Sequence, residues 1–396
     1  MPLRQYILTI LAVMACVFTT QAVAPRLQAS LITCYPGPEI YELEGHEALR
    51  IHGINEHGEA IDSVWNYGVF DFAAPNFVGR FVKGDTDYMV WGYPFQWFMP
   101  QYMERGSQVV EQDLNLPPEE TFRLLRRLQA NALPANRTYR YNYVRDNCST
   151  RVAAMIDSAV SPRRIIYPDE VTFTTFRDAM RHYHRNYPWY QFGIDLVLGS
   201  GIDHPLTPRH EIFAPLRLME LAGEARLSDD GGPLVSRTRT LYPGRGDATL
   251  GPTPWYLTPM AVAVALLLIS IGVSIYGWRR KRVVKWWTSL YFCVLGLLGC
   301  VVWYLVFIST HDSTSPNLLS LWLNPLQLLV GICVWWRRTR QVAMAMCVVN
   351  LIILTVLACV WPFQAQCTNP AVFPLWGATA VLSALFPLLY RYEKNV

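Results

Sequence analysis

The chain has 396 residues, of which 52% are hydrophobic and 16% are charged, and its formal net charge is +4. This composition is too apolar for an average soluble protein of that length and favours a membrane protein. The basic residues concentrate in short loops between apolar runs rather than along a stripe, so the charge does not indicate a nucleic-acid-binding protein.

The N-terminus has the pattern of an export signal. Arg4 precedes an apolar stretch over residues 6–18, and Ala22-Val23-Ala24 is typical of a small-residue cleavage site. Pro25 disfavours cleavage directly after that site. Residues 1–24 are therefore interpreted as either a signal peptide or an uncleaved N-terminal anchor.

The stretch that follows reads as a globular domain over residues 25–230. Its clearest element is a β-hairpin, with strands expected at 48–53 and 63–72 and the turn at 55–58. The later elements are predicted in chain order as a strand at 108–116, a helix from Pro118, a short strand through Tyr139, Tyr141 and Tyr143, a helix from Cys148 to about Ser158, and a helix at 171–186. Residues 231–254, rich in Gly, Pro and Thr, are expected to be a linker.

The last third of the chain, from residue 255 to 396, is expected to form a membrane domain. Five apolar segments are long enough to cross a bilayer, at 255–278, 287–309, 318–336, 341–362 and 370–390. Arg279-Arg280-Lys281-Arg282 follows the first segment and Arg337-Arg338 the third, whereas the other two loops carry no Lys or Arg. The positive-inside rule makes the basic loops cytoplasmic and the globular domain extracytoplasmic.

Cys148 is the candidate nucleophile. It is expected where a strand ends and a helix begins, with Asp146 or Asn147 as the N-cap. A thiol at a helix N-terminus lies near unpaired backbone N–H groups and the positive end of the helix dipole, which lowers its pKa. The alternatives are a disulfide between Cys148 and Cys34 or a buried, inert thiol.

A nucleophilic thiol needs a base, and His46 at the start of a strand is the best placed histidine. If the hairpin turns near His57, alternation puts Asn66 on the same face of the sheet as His46, where it would orient the imidazole. His52 is the competing choice. The spacing of Cys and His residues matches no metal-binding motif, and neither a metal nor another cofactor is expected.

Three blocks of the sequence resemble those of a known family. Residues 44–50 (EGHEALR), 64–72 (VWNYGVFDF) and 146–151 (DNCSTR) are similar to the signature of the Lnb family of bacterial lipoprotein N-acyltransferases. The order of the histidine, the hairpin and the later Asn-Cys pair also resembles the circularly permuted papain-like fold of lecithin:retinol acyltransferase. The resemblance implies an α+β fold, with a permuted papain-like extracytoplasmic domain followed by five transmembrane helices.

The resemblance also implies a reaction and a location. A fatty acyl chain would pass from a membrane phospholipid, through a thioester on Cys148, to the N-terminal amine of diacylglyceryl-cysteine lipoproteins, with His46 as the base. The protein would lie in the bacterial inner membrane, with its catalytic domain in the periplasm. The residues expected to contact substrate are Arg50, Tyr67 and Asn147 in the matching blocks and His311 in an outer loop.

Two other functions remain open at the level of sequence. The same thiol and imidazole could belong to a membrane-anchored, extracytoplasmic cysteine peptidase or amidase. A non-enzymatic membrane receptor or assembly factor, with Cys148 bonded to Cys34, is the second. Only the acyltransferase is expected to carry an acyl group from phospholipid on Cys148.

Overall fold

The computed structural model describes residues 26–55, 57–71, 73–229, 231–245 and 250–394. The predicted signal peptide or anchor at 1–24 lies outside the described residues, as do Glu56 of the predicted turn and Phe72 at the end of the predicted second strand.

The first part of the chain is built on one antiparallel sheet of seven strands. Their order across the sheet is β6-β4-β3-β2-β1-β5-β9. The strands are β1 Arg26–Cys34, β2 His46–Ile54, β3 Ala60–Val69, β4 Asp87–Pro94, β5 Val109–Leu114, β6 Thr138–Arg140 and β9 Val235–Tyr242. The predicted hairpin is confirmed as β2 and β3, which pair with Ala48 opposite Asn66. Two short strands, β7 Ile165–Ile166 and β8 Arg226–Leu227, form a separate pair.

Alternation along the strands divides the sheet into two apolar faces. One face carries Leu31, Leu49 and Tyr67, which pack against helices that follow later in the chain. The opposite face carries Ile32 and Ala48, which pack against an aromatic layer. The residues of that layer are Phe95, Phe98 and Tyr102. The aromatic run after β4 is thus mainly a core layer, since Phe98 is fully buried.

Eight helices of this part lie among the described residues. They are α1 Phe77–Lys83, α2 Met99–Arg105, α3 Pro118–Asn131, α4 Cys148–Val160, α5 Phe176–Tyr183, α6 Pro188–Val197, α7 Pro208–Glu211 and α8 Pro215–Glu224. The predicted helix at 171–186 is shorter in the structure, because Thr175 caps α5 by accepting from the Asp178 N–H. Helix α4 begins at Cys148, as predicted, and Asn147 caps it.

The predicted linker at 231–254 contains an element that composition did not indicate. Strand β9 pairs with β5 at the edge of the sheet. The alternation of Arg and Thr along β9 suits an edge strand with one solvated face. The connection to the membrane domain therefore begins after Tyr242.

Four helices of the membrane domain are long and apolar enough to cross a bilayer. They are α9 Pro259–Arg280, α10 Lys285–Phe307, α12 Arg340–Val360 and α13 Val372–Lys394. The expected third span at 318–336 is wrong as a continuous helix: a 3₁₀ turn at Leu318–Leu321 precedes the short helix α11, Gln327–Cys333. Of the five predicted transmembrane helices, four are present among the described residues together with one interrupted segment.

Side-chain hydrogen bonds explain the interruption. Asn324 donates to the carbonyl of Leu321 and accepts from the N–H of Leu326, and Pro325 between them has no N–H to offer. The side chains of Gln327 and Asn350 then bond to each other in both directions. Irregular backbone at membrane depth is tolerated where protein surrounds it, and Asn324 is 4% exposed.

The two loops without Lys or Arg contact the sheet domain, as the predicted topology requires. In the first loop, the N–H of Thr310 donates to the carbonyl of Lys83 over 2.8 Å, and Asn317 donates to the carbonyl of Leu196 over 2.9 Å. In the second loop, the carbonyl of Thr368 accepts from Arg181 over 3.0 Å. The sheet domain and the outer ends of the membrane helices therefore form one continuous surface.

Candidate active site

Cys148 is the first residue of α4 and lies against the start of β2. The side chain of Asn147 fixes this position, since it donates to the carbonyls of Tyr143 and Phe213 over 2.9 and 2.8 Å. The backbone N–H groups of Glu47 and Ser149 are close enough to the Cys148 sulfur to favour its charged form. The residue is 9% exposed, so bulk water has little access to the thiol.

Burial changes the expected ionisation of this thiol. Desolvation raises the pKa of Cys148 to about 12, and the Glu47 carboxylate raises it too, while the N–H groups of Glu47 and Ser149 lower it. The expectation that the helix N-terminus lowers the thiol pKa is therefore wrong for the free protein, because the cost of burying the charged sulfur is larger. Cys148 is a protonated thiol at neutral pH.

His46 is held by the residue that alternation along the strands predicts. Its Nε2 lies 2.5 Å from Oδ1 of Asn66, and Nδ2 of Asn66 donates to the hydroxyl of Tyr93 over 3.2 Å. Since Asn66 faces Ala48 across the hairpin, His46, two residues before Ala48, points to the same side of the sheet. The structure thus brings His46 and Asn66 together.

The imidazole of His46 is neutral. Burial lowers the pKa of His46 to about 4, and the charge of Arg105 lowers it further, against a smaller upward effect of Asn66. The amide oxygen of Asn66 only accepts, so the ring proton is on Nε2 and the lone pair is on Nδ1. A neutral base and a protonated thiol can exchange a proton when a substrate arrives, which is general-base activation rather than a preformed ion pair.

A row of aromatic rings leads from Cys148 towards the membrane side. Tyr141 packs against the apolar cluster that contains Cys148. Tyr141 stacks on Tyr88 with centroids 4.3 Å apart, Tyr88 contacts Phe70 at 4.9 Å, and Phe70 stacks on Phe77 of α1 at 5.7 Å. Sequence pattern alone did not indicate that Phe70 and Phe77 belong to this row, although residues 70–81 are rich in Phe.

The backbone conformation of Gly68 allows the end of β3 to approach Cys148. Gly68 has a φ of 85°, and a Cβ at this position would lie 3.8 Å from Cβ of Cys148. The register of β3 with β4 shifts between Asn66 and Val69. This bulge turns the strand end towards the first turn of α4.

Three of the four predicted substrate residues make contacts within the protein. Tyr67 is fully buried, and its hydroxyl donates to Oδ1 of Asn131 over 2.7 Å. Asn147 is occupied by the capping contacts of α4. His311 is bonded through Nε2 to the carbonyl of Phe81 over 2.8 Å. These contacts give Tyr67 and Asn147 structural roles, and a substrate role stays a prediction for both, as it does for His311.

Arg50 lies four residues after His46 on β2, and its side chain points to the same face of the sheet. Its guanidinium binds Asp62 through Nε over 2.7 Å and Glu111 through Nη1 over 3.1 Å, and it lies over the ring of Phe95. With both carboxylates and the ring in place, the guanidinium is engaged within the protein. Substrate binding by Arg50 stays a prediction that this geometry does not favour.

The alternative partner of Cys148 is Cys34, which is the cross-strand neighbour of His46, and the competing histidine is His52. Cys34 and Cys148 are both free thiols in the structure. Cys34 packs with Phe98 and Tyr102 on the face of the sheet opposite the one that α4 covers. His52 lies with Glu111 and Asp113, and their ligand atoms are within 4.8 Å of one another. This group is an ion-pair network rather than a favourable metal site, because Arg50 and Arg239 already bind Glu111.

A cavity of about 590 Å³ lies between α3 and α4, and the side chains that line it include Arg127, Arg145 and Arg151. Cys148 and His46 are not part of its lining. The cavity is therefore separate from the thiol.

Comparison with protein families matched both parts of the chain. The model of the Lnb N-terminal periplasmic domain matches residues 16–186. The model of the Lnb transmembrane domain matches residues 252–395. Searches of curated proteins and of solved structures gave no significant match. The expected α+β domain followed by a helical membrane domain is confirmed, whereas the permuted papain-like topology stays a prediction.

Proposed function

The chain belongs to the Lnb family of membrane proteins with a periplasmic domain, and from that premise we propose that it is a lipoprotein N-acyltransferase. It transfers a fatty acyl chain from a membrane phospholipid, through a thioester on Cys148, to the α-amine of a diacylglyceryl-cysteine lipoprotein. The membrane is the bacterial inner membrane, with the catalytic domain on the periplasmic side.

The observation that carries the proposal is the position of the Cys148 sulfur. The backbone N–H groups of Glu47, the residue directly after His46, and of Ser149, in the first turn of α4, favour the charged form of this sulfur. The N–H groups in the first turn of α4 have no carbonyl partner within the helix, and acyl transfer can use such donors to stabilise the oxyanion that forms on the adjacent carbonyl. Each well-placed donor contributes on the order of 3 kcal/mol to transition-state stabilisation.

In the first half-reaction the thiol of Cys148 attacks an ester carbonyl of the phospholipid while His46 takes the thiol proton. The tetrahedral intermediate then collapses, and the lysophospholipid hydroxyl leaves with the proton from His46. In the second half-reaction the amine attacks the thioester carbonyl, the C–S bond breaks and the thiol is restored. Exclusion of water from Cys148 protects the thioester from hydrolysis, since the residue is 9% exposed.

The position of the site relative to the membrane supports lipid substrates. Helix α1 lies beside the outer end of α10, where Thr310 bonds to the carbonyl of Lys83. Val78 and Phe81 of α1 are 72% and 46% exposed. Trp255 and Tyr256, just before α9, are also exposed and are typical of the membrane interface. The aromatic row from Phe77 to Tyr141 would guide an acyl chain from this level to Cys148.

The test is the capture of the thioester. Purified full-length protein in detergent is given a phospholipid with a deuterated acyl chain, and peptides containing Cys148 are analysed by mass spectrometry. We expect the mass of the labelled acyl group on Cys148, its release by neutral hydroxylamine, and no such mass in Cys148→Ala. Cys347→Ala is the matched control, because it removes a second buried thiol that lies in the membrane domain.

Adding a diacylglyceryl-cysteine peptide should then discharge the adduct and produce the N-acylated peptide. Release of the acyl group to water alone would instead assign the site to a hydrolase, such as the peptidase or amidase alternative. Lack of any adduct on Cys148 would leave the receptor or assembly factor and would overturn the acyltransferase.

A further inference from the structure

A second buried polar cluster lies beside Cys148 and takes no part in activating the thiol. It consists of Glu44, Tyr143, His184 and Gln191. His184 is fully buried, with Nδ1 2.7 Å from Oε1 of Gln191 and Nε2 3.3 Å from the hydroxyl of Tyr143. Since the amide oxygen only accepts, the ring proton is on Nδ1, and Nε2 accepts from Tyr143.

Glu44 is the incomplete member of this cluster. Its Oε1 is buried and has no partner in hydrogen-bond geometry among the residues that the structure describes. Nε2 of His184 lies 3.8 Å from this oxygen, and in the tautomer described above it carries a lone pair and does not donate. A buried carboxylate oxygen without a donor is costly, and a donor brought by a ligand would remove that cost.

The surroundings of Glu44 point to the sort of ligand that fits. Burial raises the pKa of Glu44 to about 8, against the lowering effect of a hydrogen bond with Tyr143, so the group is largely a neutral acid near pH 7 in the free protein and a bound cation would favour its ionised form. The Glu44 side chain is 11% exposed. The cluster adjoins the start of α4, because the carbonyl of Tyr143 accepts from Asn147, the residue before Cys148. A primary ammonium, with three N–H donors and a positive charge, satisfies the carboxylate and lies next to the sulfur.

We propose that Glu44 binds the α-ammonium group of the acceptor and takes its proton, so that the neutral amine attacks the thioester on Cys148. This assignment rests on the proposed acyltransferase function and deepens it. It also gives a reason for transfer to an amine rather than to water, because an ammonium is attracted to an ionised Glu44 and becomes the nucleophile when it passes a proton to it.

The proton balance of the step is complete. The ammonium passes one proton to the Glu44 carboxylate and becomes an amine. The amine nitrogen forms the amide bond, the C–S bond breaks, and the second amine proton passes through His46 to the Cys148 sulfur. Glu44 then returns its proton to solvent as the N-acylated product leaves.

The two half-reactions test this assignment separately. Full-length protein in detergent first receives deuterated phospholipid, and the rate of Cys148 acylation is measured; an S-diacylglyceryl-cysteine peptide with a free α-amine is then added, and the rate of discharge is measured. For Glu44→Gln we expect acylation within about twofold of wild type and a discharge rate about a hundredfold lower, the low end of what a positioned base contributes. Glu119→Gln, an exposed change at the start of α3, should alter neither rate.

Glu44→Asp keeps the carboxylate and is expected to recover part of the discharge rate. An Asp variant no faster than the Gln variant would overturn the assignment, because side-chain shape rather than charge would then matter. Equal discharge in wild type and Glu44→Gln, or an acylation rate that falls as much as the discharge rate, would also overturn it. In these cases wild-type Cys148 still becomes acylated, whereas a wild type without any adduct overturns the proposed function itself.

Discussion

Nε2 of His46 lies 2.5 Å from Oδ1 of Asn66, across the hairpin that β2 and β3 form. Because the amide oxygen can only accept, this contact fixes the tautomer of the imidazole and leaves Nδ1 as its basic nitrogen. The nitrogen of the Asn66 amide is held in turn by the hydroxyl of Tyr93. The orientation of the candidate base therefore depends on one side chain of the neighbouring strand.

Asn66→Ala should remove this orientation and lower the rate of Cys148 acylation by about a hundredfold, the order of magnitude of a positioned general base. Asn66→Asp should act differently, since a carboxylate beside the imidazole raises the pKa of His46. In wild type that pKa is lowered to about 4, so the base is neutral above pH 5. In the Asp variant His46 becomes protonated at a higher pH, so the acid limb of the pH–rate profile should shift to higher pH.

The measurement is the acylation rate between pH 4 and pH 9, with Tyr93→Phe as the control. That variant removes only the outer contact of Asn66 and should change the rate by less than about tenfold, the effect of one neutral hydrogen bond. An unchanged profile in Asn66→Asp would mean that Asn66 does not act through His46.

The raised pKa of Cys148 predicts the pH dependence of alkylation in the free protein. The pKa lies near 12 because of burial, so the thiolate fraction should rise about tenfold for each pH unit between 7 and 10. The rate of iodoacetamide modification at Cys148, followed by peptide mass spectrometry, should rise accordingly. The exposed Cys367 serves as the control for reagent access. A rate that is already level below pH 8 would indicate a preformed thiolate–imidazolium pair.

The loop between α10 and the interrupted segment binds the segment that precedes Cys148. Asp312 accepts from Asn142 over 2.8 Å and from Arg145 over 2.9 Å. Both side chains of the ion pair are about half exposed, so the pair is expected to contribute no more than about 1 kcal/mol. Asp312→Arg should therefore reduce acyl transfer several-fold, and the exchange Arg145→Asp with Asp312→Arg should restore part of it. If the double variant loses as much acyl transfer as the two single variants combined, the ion pair does not couple the loop to the segment before Cys148.

Helix α1 should place its exposed apolar residues at the bilayer surface. Val78→Asp with Phe81→Asp adds charge there, which disfavours contact with lipid. We expect acyl transfer from phospholipid in vesicles to fall at least about tenfold, while transfer from a soluble short-chain ester changes little. Ile166→Asp, at an exposed apolar position on β7, is the control. Equal loss with both donors would show a folding defect instead of a membrane contact.

The sequence was sufficient for features set by neighbours along the chain. Period-two alternation and a turn near His57 predict that Asn66 lies beside His46, and Asn147 before an apolar helix predicts the start of α4. The absence of Lys and Arg from two loops predicts that these loops lie on the same side of the membrane as the extracytoplasmic domain. Each inference uses residues within one hairpin, one helix end or one loop.

Features that depend on distant packing were not predictable. The pKa of Cys148 follows from burial against β2, which a helix end alone does not reveal. Hydropathy treats 318–336 as a span because it does not register that Asn324 and Gln327 bond to backbone and to Asn350. Likewise, a Gly- and Pro-rich composition around β9 conceals a strand that only its partner β5 makes favourable.

Arg177 should be the most costly charged residue to remove from the sheet domain. It is fully buried, and its guanidinium binds Asp203 over 2.7 Å and Asp195 over 3.0 Å. Arg177→Met leaves the buried Asp203 without its cation and Asp195 with only Arg181 at 3.3 Å, so we expect a loss of about 3–5 kcal/mol in the free energy of unfolding. Thermal unfolding in detergent should show this loss, with Arg140→Met, which is 52% exposed and pairs with partly exposed carboxylates, as the milder control. Since the buried charges cause the loss, adding Asp195→Asn and Asp203→Asn to Arg177→Met should recover stability. A triple variant less stable than the single one would show that packing, and not unpaired charge, sets the cost.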